Sequence, residues 1–140
     1  MFYKTLILIS SFSFLFYSAR SIFSKNMIVE YSRWGLAKSR ILISLLQFFA
    51  GLALIIGFYN VKLLTLTSFL LTIMMICAII VRIKIKDSFL ASLPAIFYAI
   101  INFIICYSTI FKIWFFVYYE FYLDFKYIIF WLSFFGNLDT

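Results

Sequence analysis

The stretch that most constrains this chain is Arg82-Ile-Lys-Ile-Lys-Asp-Ser-Phe-Leu-Ala-Ser-Leu-Pro94, a short charged turn between two long apolar runs. Arg82, Lys84, Lys86 and Asp87 fall within six positions, and the flanking segments are almost free of charge. A charged side chain at the centre of a bilayer costs about 2.5–3.5 kcal/mol on insertion scales. Such a chain leaves hydrocarbon at Arg82 and re-enters it near Ser88. Composition points the same way, with 66% hydrophobic and 12% charged residues. A soluble domain carries about 45–50% apolar and about 25% charged residues. The predicted class is all-α, an integral membrane four-helix bundle with an interfacial loop after the first helix and an extra aromatic C-terminal helix.

A span needs about 20 apolar residues. The runs that qualify are about 3–19, 41–59, 63–81 and 89–111, which form one membrane domain over 1–111. A cleaved leader competes for the first run, but a cut after Tyr17-Ser-Ala19 would put bulky Tyr17 where small residues are the rule. A retained span is the reading preferred. Residues 20–40 interleave Arg20, Lys25, Glu30, Arg33, Lys38 and Arg40 with Met27, Tyr31, Trp34 and Leu36. That mixture predicts a partly helical interfacial segment, with Gly35 ending a short helix. Asn60 and Val61 read as a tight turn. Pro94 falls in the first turns of the fourth span, where a missing N–H costs least. The tail, 112–140, is aromatic but holds Glu120, Asp124 and Lys126. It reads first as an interfacial helix and second as a fifth span, with Glu120 and Asp124 on one face.

Lysine and arginine counts set the expected orientation. Alternating spans put the 20–40 loop and the Arg82 turn on one side. Together they hold Arg20, Lys25, Arg33, Lys38, Arg40, Arg82, Lys84 and Lys86, against Lys4, Lys62, Lys112 and Lys126 opposite. The positive-inside rule then puts the two basic loops in the cytoplasm and the N-terminus outside.

Each span carries a stripe of small or polar residues spaced by threes and fours, so each stripe shares a helix face. The stripes are Ser10, Ser13, Tyr17, Arg20; Arg40, Ser44, Gln47, Gly51; Thr65, Ser68, Thr72, Met75; and Ser92, Ala95, Ala99, Asn102, Cys106. Lipid tails are as apolar as leucine, so spans associate through such faces, and the stripes are expected to face one another. Tyr17, Gln47, Thr72, Asn102 and Cys106 are the candidates for the bundle core or a ligand site. Gln47 and Asn102 are amides within spans; they bond each other, line a pocket, or both. At the cytoplasmic mouth the candidates are Arg20, Glu30, Arg33, Arg40, Arg82 and Asp87. Glu30 is expected to pair with an arginine, and Asp87 to cap the fourth helix, where its charge suits the helix dipole. The chain has two cysteines and no histidine. With no CxxC, no haem or metal site is expected and no catalytic residue is assigned. Its aromatics lie in the spans, which removes a nucleic-acid surface.

Three pieces in order carry a family resemblance. They are Met27-Ile-Val-Glu30-Tyr-Ser-Arg33-Trp-Gly35-Leu, then Gln47-Phe-Phe-Ala-Gly51-Leu-Ala-Leu-Ile-Ile-Gly57, then the Arg82 turn with Leu93-Pro-Ala95 and Asn102. Over residues 1–110 the chain resembles the DoxX-like family of small bacterial membrane proteins; the tail departs from it. The resemblance implies a four-helix fold in the bacterial inner membrane. It also implies an accessory or quinone-facing subunit of a membrane redox assembly, with quinone the one cofactor left open, rather than an autonomous enzyme. A binder or carrier of a small hydrophobic molecule, or a purely structural subunit, is the alternative. The expected partners are the bilayer, a second membrane protein or a second copy, and a small hydrophobic ligand.

Overall fold

A computed structural model describes residues 2–136; of these, the side chains of 2, 124, 125 and 127–136 are not described. Among the described residues the chain is all-α. The helices are α1 (Phe2–Phe23), α2 (Lys25–Arg33), α3 (Arg40–Ile56), α4 (Val61–Lys84) and α5 (Phe89–Gly136), with a 3-10 turn at Ala37–Ser39 before α3. Four segments are long and apolar enough to cross a membrane: Tyr3–Phe23, Ala37–Ile56, Val61–Lys84 and Phe89–Leu123. The chain divides into two compact units, 1–109 and 110–140.

In the first unit, α1 packs antiparallel along α3, and α3 packs on α4. The α5 residues join through hydrogen bonds to α1. The apolar core draws on all four long helices, with Ile7, Phe14, Leu54, Leu64, Leu71, Met75, Ile101 and Ile105 buried. Outward positions such as Phe12, Phe16, Leu42, Phe49 and Phe103 are exposed, as lipid-facing residues of a span must be. In the second unit, Trp114, Phe115, Tyr118, Phe121 and Tyr122 are exposed, and Trp114 stacks on Tyr118 with centroids 5.7 Å apart. The expectation that Glu120 and Asp124 share one helix face involves a side chain outside the described residues.

Local chemistry sets the helix ends. The Asn60 side chain accepts from the N–H groups of Lys62 and Leu63 at 3.1 and 3.2 Å, capping α4. Gly35, at φ +72°, ends α2 as expected. Its N–H bonds to Ser32 O, and Leu36 N–H reaches back to Tyr31 O, the paired bonds of a Schellman end. The same motif closes α4. Lys86 takes the left-handed place at φ 57°, its N–H bonds to Ile83 O, and Asp87 N–H bonds to Arg82 O. Pro94 lies in the second turn of α5, which begins at Phe89.

Candidate functional site

Apart from Lys4 and Lys62, the charged groups of the first unit gather where α1 ends, α3 begins and α4 turns into α5. Two helix ends build this place. The turn after α2 sets Trp34 and Leu36, and the bond from Asp87 N–H to Arg82 O holds the Asp87 carboxylate beside the Arg82 side chain. Arg33 then reaches Asp87 with both guanidinium arms, Nη1 to Oδ1 at 2.7 Å and Nη2 to Oδ2 at 3.3 Å. Its Nη2 also donates to Glu30 Oε2 at 2.5 Å. Arg82 Nη1 lies 3.5 Å from Asp87 Oδ2, and its guanidinium sits 4.9 Å from the centre of the Trp34 ring. Trp34 in turn packs on buried Tyr31. The Asp87 side chain is only 7% exposed, and the two arginines beside it offset the cost of burying its charge. Glu30 holds the Arg33 guanidinium above its usual pKa, and Asp87 adds to the effect.

Arg40 does something else. Its Nη1 donates to the carbonyls of Ser21 at 2.5 Å and Ile22 at 3.1 Å. These are among the last carbonyls of α1, which have no partner within the helix. A cation there also suits the negative end of the helix dipole. Arg40 thus ties the start of α3 to the end of α1.

From this point a polar seam runs inward between α1 and α3. Ser44 Oγ donates to Ser21 Oγ at 2.6 Å. Further in, Leu15 lies against Gly51, and Ser11 Oγ donates to Gly51 O at 2.7 Å. Gly51 has to be glycine for this approach: a Cβ there would stand 2.9 Å from Leu15 Cγ and 3.2 Å from Ser11 O. On the adjacent face of α1, Ser10 Oγ donates to Asn102 Oδ1 at 3.0 Å, and Tyr98 Oη donates to Ser13 Oγ at 2.6 Å.

The model of the DoxX-like family matches residues 5–104. The chain belongs to the DoxX-like family. No curated protein and no solved structure matches the chain. The matched stretch takes in the arginine cluster, the α1–α3 seam and the Ser10–Asn102 bond.

Within this DoxX-like unit, the residues singled out from sequence separate into three groups. Glu30, Arg33, Arg82 and Asp87 come together, and Glu30 pairs with Arg33 as expected. The expectation that Asp87 caps α5 is corrected. Both its oxygens serve arginines, and Ser88 holds the position before Phe89, with its Oγ accepting from Ala91 N–H at 3.4 Å. Asn102 and Gln47 are both buried but do not bond each other. Asn102 is satisfied by Ser10 and by Tyr98 O, to which its Nδ2 donates at 2.8 Å. The Gln47 level lies near Ser18 instead, eight residues or about 12 Å further along α1. The remaining candidates stand apart. Thr72 Oγ1 donates to Ser68 O one turn back, Cys106 is a buried free thiol, and Tyr17 is half-buried within electrostatic reach of Arg82 and Arg20. Arg20 is exposed at the end of α1.

Sequence reasoning missed Ser11, Ser18, Ser21, Tyr98 and the Trp34–Arg82 contact. The serines carried a signal. Ser11, Phe14, Ser18 and Ser21 recur by threes and fours one position beyond the stripe that was read, and all four are buried. Helix α1 lies between two neighbours, so it needs two small-residue faces: Ser11, Ser18 and Ser21 toward α3, and Ser10 and Ser13 toward α5.

Proposed function

We propose that this chain is a non-catalytic, quinone-facing subunit of a redox assembly in the bacterial inner membrane, with its arginine end in the cytoplasm and its N-terminus outside. Family membership supports the membrane setting. The observation that carries the reading is how charge is spent at the arginine end. Glu30 and Asp87 are consumed inside the cluster, where Arg33 ties the α2 segment to the turn between α4 and α5. Lys25, Lys38, Lys84, Lys86 and Arg20 remain exposed around it. A basic surface whose acids are already engaged, on loops fixed to each other, suits the acidic face of a partner subunit. Electrostatic complementarity of this kind sets orientation and on-rate more than raw affinity. The eight-to-four excess of basic residues on this side supports the cytoplasmic placement.

One experiment addresses both partner and orientation. A membrane-impermeant, lysine-reactive cross-linker is applied to inside-out and right-side-out vesicles, and adducts are mapped by peptide mass spectrometry. The expected result is a partner joined through Lys25, Lys38, Lys84 or Lys86 in inside-out vesicles alone. Adducts at these lysines only in right-side-out vesicles would reverse the orientation. Free chain in both preparations would remove the assembly.

A further inference from the structure

Polar pairing in the first unit is uneven. Away from the arginines, Ser10, Ser11, Ser13, Tyr98 and Asn102 are bonded across helices, and Thr109 Oγ1 donates to Ile105 O. Toward the arginines, Ser18 Oγ, Gln47 Oε1 and Trp34 Nε1 are buried without a hydrogen-bond partner. Ser18 is 0% exposed and Gln47 4%.

The first two are not scattered. Ser21 and Ser44 are bonded to each other; Ser18 lies three residues before Ser21, and Gln47 three residues after Ser44. On antiparallel helices both steps run inward, by about 4.5 Å along the axis. Both also stay on the bonded face, since residues three apart are neighbours on a helix surface. The next level inward is closed by Leu15 against Gly51, and the one after by Ser11 on Gly51 O. Ser18 and Gln47 therefore form one unpartnered level in a seam whose neighbouring levels are bonded or packed.

Buried polar atoms without partners are uncommon, and those that persist are generally met by water, an ion or a ligand. The two groups say which kind. A serine hydroxyl both gives and accepts a hydrogen bond, while a carboxamide presents its oxygen or, turned over, its N–H. No charged side chain belongs to this level, and an ion placed between apolar helix faces would go uncompensated. We propose that the Ser18–Gln47 level binds the hydroxyl or carbonyl oxygen of a neutral, lipid-soluble molecule. The hydroxyl serves either form of oxygen, and the carboxamide turns to match it. Quinones and quinols fall within this class, so the site deepens the quinone-facing reading above. The two fail separately, because the partner is captured in vesicles and ligand binding is measured on the isolated chain.

The test uses the full chain in phosphatidylcholine nanodiscs with two photoreactive probes, a diazirine-bearing fatty alcohol and the matching alkane. The alcohol is expected to label residues 15–21 and 44–51 above the alkane. Losing one hydrogen bond costs about 1 kcal/mol, so that labelling should fall about five-fold in Ser18→Ala and in Gln47→Met. Alkane labelling should not change. Gln47→Met keeps the side chain's length, and without probe its Tm should match or exceed that of the parent, because an unpartnered amide has been removed. Equal labelling by the two probes, or unchanged alcohol labelling in both variants, overturns the proposal. So does a fall in the Tm of Gln47→Met without probe, since the amide would then already have its partner.

Discussion

Gly51→Leu should lower the stability of the chain by about 3 kcal/mol, the upper end of the usual cost of forcing extra methylenes into a packed interior. The reason is local. A single Cβ at this position already stands 2.9 Å from Leu15 Cγ and 3.2 Å from the Ser11 carbonyl. Leucine adds three more carbons, and the only relief is for α1 to move away from α3. That movement stretches the bond from Ser11 Oγ to Gly51 O, now 2.7 Å, and puts the Ser21–Ser44 bond further along the seam at risk. Between helices in a membrane there is little hydrophobic driving force to hold a strained interface shut. Unfolding in mixed micelles, followed by circular dichroism, measures the loss. Leu15→Ala in the same chain should recover more than half of it, because the two sites touch and their effects cannot add. An unchanged midpoint in Gly51→Leu alone would mean that the helices do not meet there.

Asp87→Ala is expected to be the second large effect. It removes the acceptor for two arginines at once and leaves Arg82, only 18% exposed, without its carboxylate. Removing one partner of a buried charge pair costs more than the pair itself contributes, because the other charge stays behind uncompensated. The expected outcome is a drop of several degrees in Tm, with faster proteolysis between residues 24 and 40 as the α2 segment loses its tie to the α4–α5 turn. Asp87→Asn retains one acceptor oxygen and should lose less. Glu30→Gln should be nearly silent, since its pair with Arg33 is an exposed contact between residues three apart on one helix, the class that contributes least. Equal effects for Glu30→Gln and Asp87→Ala would mean that the bridge to the turn contributes no more than a surface pair.

These residues also mark how far the sequence could be read. The spans were legible because hydrocarbon excludes charge, so Arg82 through Asp87 had to interrupt the apolar run. The end of α2 was legible because glycine alone adopts φ +72° without strain. Lys86 takes the equivalent place at the end of α4 with no such label, so the left-handed form of that end was not foreseen. Asp87 shows the limit in the site. From sequence, an acid just ahead of a helix reads as a cap. The Schellman end of α4 instead turns Asp87 toward Arg82, and Arg33 arrives from 54 positions away, a pairing that no local pattern encodes. The stripe read on α1 is one of two, and the second was missed for a similar reason. Periodicity finds a face, but a helix with two neighbours has two, and only packing tells which neighbour each one meets.

The register of α1 against α3 sets the arginine tie, the Gly51 contact and the unpartnered Ser18–Gln47 level together. Cysteine cross-linking reads that register directly. In a background of Cys77→Ser and Cys106→Ala, Ser21→Cys with Ser44→Cys should form a disulfide in membranes under mild oxidation, because the two hydroxyls are 2.6 Å apart and side chains that close can meet disulfide geometry. Phe16→Cys with Ser44→Cys should not, since Phe16 is 71% exposed on the outer surface. Cross-linking of the second pair in preference to the first would contradict the seam and everything built on it.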